Sequence, residues 1–266
     1  MKIIIAGGGT GGHVFPAISI AEEILNRDKN NKILFVGTEK GIEKKVVPDL
    51  GYEIKFINSG GLIGRNFFQK LKGMISAFNG ILSSFRILMK FKPDVVLGVG
   101  GYASGPTVLS AYLSNIPTAI CEQNSVPGFT NKTLSKFVKK IFITYPESKK
   151  YFPEHKIVAT GNPIRKNISN ELTNLKNSST GDSYTILILG GSQGAKALNE
   201  TVPQAINILK KENIKIIHQT GEKNYDEVIK SYERLNINAD VYKFIDNISG
   251  VYKKTDLIIC RSGAST

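Results

Sequence analysis

The chain has 266 residues, 41% of them hydrophobic and 21% charged, with 26 Gly, 10 Pro and 2 Cys. That composition excludes a disordered, collagen-like or disulfide-scaffold protein, and the length suits one large domain or two modest ones. Lys plus Arg outnumber Asp plus Glu by 35 to 22, a formal charge of +13, which attracts polyanions (nucleic acid, anionic lipid, phosphorylated substrates) without choosing among them.

No run approaches the roughly 20 unbroken apolar residues that cross a bilayer, and Met1–Ala6 is too short for a signal peptide, so a cytosolic chain is expected. Cys121 and Cys260 each close a short apolar run. They lack metal-ligand spacing and are expected as small buried hydrophobes in a reducing compartment.

In chain order, strands are expected at Lys2–Ala6, Lys32–Gly37, Asp94–Gly98, Pro117–Cys121, Lys140–Thr144 and Lys156–Thr160. Stretches of helical period, such as Val14–Asn26 and Pro106–Leu113, lie between them. Continuous apolar strands alternating with helices predict a parallel sheet covered on both faces. The polar stretch Asn167–Asp182 reads as a linker. A second series follows: a strand at Tyr184–Leu189, a helix from Ala195, and strands at Ile214–His218, Asp240–Tyr242 and Asp256–Cys260. Two doubly wound α/β domains facing each other across a cleft are therefore expected. The second, from Tyr184 to Thr266, is shorter than the roughly 100–150 residues usual for such a domain, and a truncated chain is expected.

Three glycine-rich segments each follow a strand and open a helix: Gly7–His13, Gly98–Gly105 and Gly190–Ala195. Without Cβ atoms the backbone admits a ligand closely, and N–H groups at a helix start favour a phosphate. Gly7, Gly9 and Gly12 also match the dinucleotide fingerprint, with Glu39 placed as its ribose-binding acid, so a nicotinamide or flavin oxidoreductase is the rival. Thr10 and His13 in or beside that turn, and a matching turn in the second half, favour another use.

From Ile54 to Pro93 there is no acidic residue. Phe68, Leu71, Ile75, Phe78, Leu82, Phe85 and Met89 form one apolar row, and Phe67, Met74, Ile81 and Leu88 a second beside it. The period is helical, with an apolar face wider than packing alone needs. Half of it is expected in the core. The other half, tested by Phe67, Met74 and Ile81, bordered by Lys55, Arg65, Lys70, Lys72, Arg86, Lys90 and Lys92 and with its basic rim extended by Lys132, Lys136, Lys139 and Lys140, is expected to dip into an anionic membrane. Nucleic acid is not expected as a partner, because a continuous apolar stripe suits a stacking groove poorly.

Taken together, Gly8–Pro16, Gly100–Pro106, Glu122-Gln123-Asn124 with Asn131-Lys132, Gly161–Arg165, Gly190–Ala195, Phe244-Ile245-Asp246 and Arg261–Ala264 resemble the MurG family over the whole chain. These are bacterial transferases that add N-acetylglucosamine to the undecaprenyl-linked muramyl-pentapeptide. The resemblance implies an α/β protein of two Rossmann-like doubly wound domains, GT-B type, the second incomplete. Residues 1–165 would form the acceptor- and membrane-facing domain, 166–183 a linker, and 184–266 the UDP-sugar-binding domain. The chain ends before the family's ribose-binding acidic residue.

The resemblance also implies partners: a UDP-N-acetylglucosamine donor, a lipid-linked muramyl-pentapeptide acceptor, and anionic lipids at the cytoplasmic side of the inner membrane. Thr10, Gly11 and Gly12 would approach the donor sugar or diphosphate, and Asn124 would hydrogen-bond the sugar. Arg165 would reach the nucleotide, Ser192 the diphosphate and Ile245 the uracil through its backbone. Ala264, Ser265 and Thr266 would begin the turn under the diphosphate. His13 is the first candidate for the base, since an imidazole titrating near pH 6.5 suits proton abstraction, and Glu122 is the alternative. No cofactor and no metal are expected. His155 and His218 are expected to be structural or solvated. A non-catalytic UDP-sugar-binding fragment is the remaining alternative.

Overall fold

Parallel strand pairing organises both halves of the computed structural model, which describes residues 1–59, 67–164, 183–191, 194–209 and 213–263, and the side chains of its long helix from Ile75 onward. The chain divides into two units whose bodies run Met1–Arg165 and Lys166–Ala264. The stretch expected as a linker lies almost wholly outside the described residues.

The first unit begins β1 (Lys2–Gly7), α1 (Gly11–Arg27), β2 (Lys32–Gly37), α2 (Glu43–Asp49), β3 (Glu53–Phe56) and α3 (Phe67–Phe91). It continues β4 (Val95–Gly100), α4 (Ser104–Leu113), β5 (Thr118–Glu122), α5 (Phe129–Leu134), β6 (Lys140–Ile143) and β7 (Ile157–Ala159). Two 3-10 turns, Pro146–Tyr151 and Glu154–Lys156, lie before β7. The strands form one sheet in the order β3-β2-β1-β4-β5-β6-β7. Every pair is parallel, with Ile4 opposite both Leu34 and Val96.

Side chains alternate across a pleated strand, and the core divides accordingly. Ile4, Ala6, Leu34, Val36 and Val96 face Leu88, Val108, Ala111 and Leu134, on α3, α4 and α5. Ile3, Ile5, Phe35, Leu97 and Val99 face Val14, Ala17, Ile18, Ala21 and Val47, on α1 and α2. With both faces covered, the strands need apolar residues at every step, which is why they read as unbroken runs.

The second unit repeats the plan: β8 (Tyr184–Leu189), α6 (Lys196–Leu209), β9 (Ile214–Gln219), α7 (Tyr225–Arg234), β10 (Ala239–Tyr242), α8 (Ile248–Tyr252) and β11 (Leu257–Cys260). Its sheet runs β10-β9-β8-β11, again parallel. Ile186, Ile188 and Ile216 pack on Val202, Val228 and Tyr232. Leu187, Leu189 and Ile217 pack on Ile245, with Ile248 and Val251 against them.

Several expectations are corrected. β3 and α2 have no counterpart in the sequence-based strands and helices. β3 is a four-residue edge strand of alternating exposure, and α2 is two turns long, too short for either period to register. α1 and α4 start before Val14 and Pro106, at Gly11 and Ser104, because glycine and serine in a first turn dilute the helical signal. Cys121 is buried as expected, but Cys260 is exposed: among the described residues β11 borders only β8, so its end has a neighbour strand on one side alone.

The apolar helix is also corrected. In α3, Ile75, Phe78, Leu82 and Met89 are the exposed row, whereas Leu88, from the row expected to face outward, is buried and Ile81 is half-buried. The side chains of Phe67, Phe68, Leu71 and Met74 lie outside the described residues. Close packing sets this orientation: Ser84 is fully buried and its Oγ lies 3.2 Å from Thr107 Oγ1, and a Cβ at Gly80 would press on Pro106 at 3.1 Å. The small residues Gly80 and Ser84 therefore form the edge that approaches α4, and Leu88 continues it.

Leu88 is 2% exposed and its neighbour Met89 is 72% exposed. Urea unfolding should show Leu88→Ala destabilising by about 2–5 kcal/mol, while Met89→Ala stays within about 0.5 kcal/mol. Equal effects would reverse the assigned faces.

Candidate functional site

In an open parallel sheet, ligands settle at the carboxyl ends of strands where the order reverses. In the first unit that point lies between β1 and β4, and two of the three glycine turns meet there: Gly8 N–H donates to Gly100 O at 3.2 Å. Gly100 has φ +94°, and a Cβ on it would stand 2.7 Å from His13 Cε1. Glycine at position 100 is what lets the imidazole lie against the β4 turn.

His13 stands in the first turn of α1, half-buried. Its Nδ1 is 3.3 Å from Gln123 Oε1, and Gln123 Nε2 donates to Val99 O at 3.3 Å. Because Val99 O only accepts, the Gln123 amide turns its oxygen to the ring, and His13 Nδ1 carries the proton. Nε2 is then the basic nitrogen. Gln123 is 1% exposed, so the orienting amide is locked by packing. Sequence reasoning noticed Gln123 only as part of a motif and missed this role.

Glu122 faces a different task. Its Oε1 accepts from Asn124 N and Asn124 Nδ2, both at 2.9 Å, and its Oε2 accepts from Asn131 Nδ2 at 2.9 Å. It is 2% exposed. A carboxylate so enclosed shapes the β5–α5 loop rather than meeting a substrate. It also holds the exposed Asn124, whose Oδ1 is left to accept from a ligand hydroxyl.

At the first turn, Thr10 is exposed and Gly11 and Gly12 open α1. His13 N and Val14 N both reach Thr10 O at 3.1 Å, while the Gly11 and Gly12 N–H groups precede any intrahelical acceptor. They are the turn's available anion-facing amides. Glu39, the rival ribose acid, is exposed.

In the second unit, the turn after β8 is bound through Gln219, at the end of β9. Gln219 Nε2 donates to Gly191 O at 3.1 Å, and its Oε1 accepts from Ile245 N at 2.8 Å. One buried amide thus joins the glycine turn to the segment expected to read uracil. With its N–H engaged, Ile245 has its carbonyl to offer. Arg165, Ser192, Ala264, Ser265 and Thr266 lie outside the described residues.

His218 is fully buried. Asn199 Nδ2 donates to Thr220 O at 2.9 Å, turning Oδ1 toward His218 Nε2 at 3.1 Å. Nε2 therefore carries the proton, and Nδ1 accepts from the Tyr232 hydroxyl at 3.0 Å. Burial pushes the imidazole down to about 4 and raises the Tyr232 phenol. The pair is a neutral structural link, as expected for His218. Among the described residues no group of three His, Cys, Asp or Glu is placed to hold a metal.

Residues 3–143 match the glycosyltransferase family 28 N-terminal domain, and residues 185–266 match its C-terminal domain. The chain belongs to glycosyltransferase family 28 and has its GT-B fold of two Rossmann-like domains. Relatives from Myxococcus xanthus and Geobacter sulfurreducens are 45% and 47% identical across 100% of this chain, which covers 70% and 74% of theirs. Both are named UDP-N-acetylglucosamine–N-acetylmuramyl-(pentapeptide) pyrophosphoryl-undecaprenol N-acetylglucosamine transferase. The crystal structure of Acinetobacter baumannii MurG aligns with a TM-score of 0.69 at 32% identity, over 99% of this chain and 72% of that one. A UDP-GlcNAc 2-epimerase from Neisseria meningitidis aligns at 0.66 but is only 18% identical, a likeness of fold alone.

The second unit carries its own pH signature. Unfolding frees His218 to titrate near 6.5, whereas the folded ring stays neutral until about pH 4. The unfolded chain binds the extra proton in that window, so stability falls as pH drops from 6.5 toward 4, by on the order of 3 kcal/mol at most. Unfolding of the second unit followed against pH should show this slope, and His218→Gln should flatten it.

Proposed function

We infer that this chain moves N-acetylglucosamine from UDP-N-acetylglucosamine to the undecaprenyl-diphosphate-linked N-acetylmuramyl-pentapeptide, a step of peptidoglycan synthesis. The observation that carries this is 45–47% identity over the whole chain to transferases of that name. The oxidoreductase alternative has no counterpart among those relatives.

The reaction is a displacement at the anomeric carbon. The acceptor's C4 hydroxyl attacks, the bond to the UDP oxygen breaks, and the α-linked donor becomes a β-linked product. A base must take the hydroxyl proton as the new bond forms. His13 supports that role, since Gln123 holds its Nδ1 proton and leaves Nε2 to accept. Asn124, held by Glu122, supplies a hydrogen bond to a sugar hydroxyl. Charge on the departing diphosphate falls to N–H groups of the glycine turns and, carried over from the family, to Arg165, Ser192 and Ala264–Thr266. Ile245 reads uracil through its carbonyl. Thr10, Gly11 and Gly12 approach the donor sugar.

Membrane association rests on α3. Ile75, Phe78, Leu82 and Met89 form an exposed apolar row, with exposed Arg86 and Lys90 on the same helix. Among the described residues no helix is long and apolar enough to cross a membrane. Such a stripe suits a helix lying in the interface of an anionic bilayer, which for this substrate is the cytoplasmic side of the inner membrane.

In a transfer assay, His13→Ala should lower kcat by about 10²–10⁴-fold with donor binding within about twofold; an unchanged kcat removes His13 as the base. The triple change Ile75→Ser, Phe78→Ser and Leu82→Ser should weaken binding to anionic vesicles by roughly tenfold or more. Unaltered co-sedimentation with those vesicles would move the contact elsewhere.

A further inference from the structure

Glu43 opens α2 and is 2% exposed. It reaches out of its own helix into the glycine turn after β1: Gly9 N–H donates to Glu43 Oε2 at 2.7 Å. Its other oxygen accepts from Thr38 N at 3.0 Å and from Thr38 Oγ1 at 3.1 Å. The carboxylate thereby joins the β1–α1 turn to the β2–α2 turn.

Three glycines make room for it. A Cβ at Gly8 or at Gly41 would fall on the Glu43 carboxyl group, and one at Gly37 would stand 2.6 Å from Glu43 Cγ. Gly8 belongs to the first turn, and Gly37 and Gly41 bracket the second, so two segments distant in sequence are shaped around one side chain. An uncompensated buried carboxylate is costly, and three donors converge to satisfy this one.

We propose that Glu43 is a positioning residue of the transferase site, clamping Gly9 so that the turn carrying Thr10 and His13 is held against β4. Two consequences follow from the geometry. The Gly9 amide is withdrawn from ligand binding, which leaves Gly11 and Gly12 as the anion-facing amides. A carboxylate on one side of the turn also opposes a second anion there, so the Gly8–Thr10 backbone serves to place side chains rather than to cradle a diphosphate. The effect on turnover rests on the transferase activity inferred above; the Gly9 bond does not.

Glu43→Gln separates these points. A carboxamide has one accepting oxygen; turned to the two Thr38 donors, it sets its NH2 against the Gly9 N–H. Glu43→Asp, one methylene shorter, keeps the charge but cannot span to both turns, and it serves if the Gln variant fails to fold. Either variant should speed hydrogen exchange at the Gly9 amide at least roughly tenfold and lower kcat by up to about 10²-fold. The KM for UDP-N-acetylglucosamine should stay within about twofold, which general unfolding would not allow. Wild-type protection of Gly9 in either variant, or faster exchange with kcat unchanged, overturns the proposal. Absence of transfer by the wild-type chain would instead sink the inferred function, and Gly9 exchange would still decide whether Glu43 holds the turn.

Discussion

Everything at the first site hangs on how closely β1 and β4 end beside each other. They are adjacent, parallel and the pair at which the strand order reverses, so the chain leaves both in the same direction and must turn away at once. Backbone meets backbone there, in the Gly8 N–Gly100 O bond, and the imidazole of His13 lies on the α-carbon of Gly100. A side chain at Gly100 would fall on that ring and remove His13 from its place.

Turns made of glycine are soft, since glycine loses more freedom on folding than any other residue. Buried polar side chains reaching in from other segments brace them. Glu43 braces the first turn, Gln123 the histidine that follows it, and Gln219 the turn after β8. Two of the three braces are neutral amides, which hold a loop through paired donor and acceptor without burying a charge. The third, Glu43, is an acid satisfied by three donors. Glu122 does the same work in the β5–α5 loop. Rigid support of this kind keeps an active group near its working geometry at the moment of reaction.

The same packing logic allots the faces of α3. Small residues, Gly80 and Ser84, let the helix lie close to α4, and that choice rotates Ile75, Phe78, Leu82 and Met89 outward. An apolar row that could have filled a core instead stands in solvent.

Alternating strands and helices, the three glycine turns and the family were legible in the chain, because buried parallel strands are apolar at every step and glycine marks close backbone approach locally. His13 and Asn124 could be picked out as candidates, being polar side chains beside such turns. Short elements such as α2 and β3 were not, having too few residues to show a period. Glu43 drew no notice beside Glu39: both acids follow β2, and only tertiary packing turns one inward under Gly9 and leaves the other in solvent. The outward row of α3 was likewise undetermined, since two apolar rows on one helix are equivalent until a neighbouring helix presses on one edge. Sequence determines what is local or periodic; which of two equivalent side chains is buried depends on contacts between segments far apart in the chain.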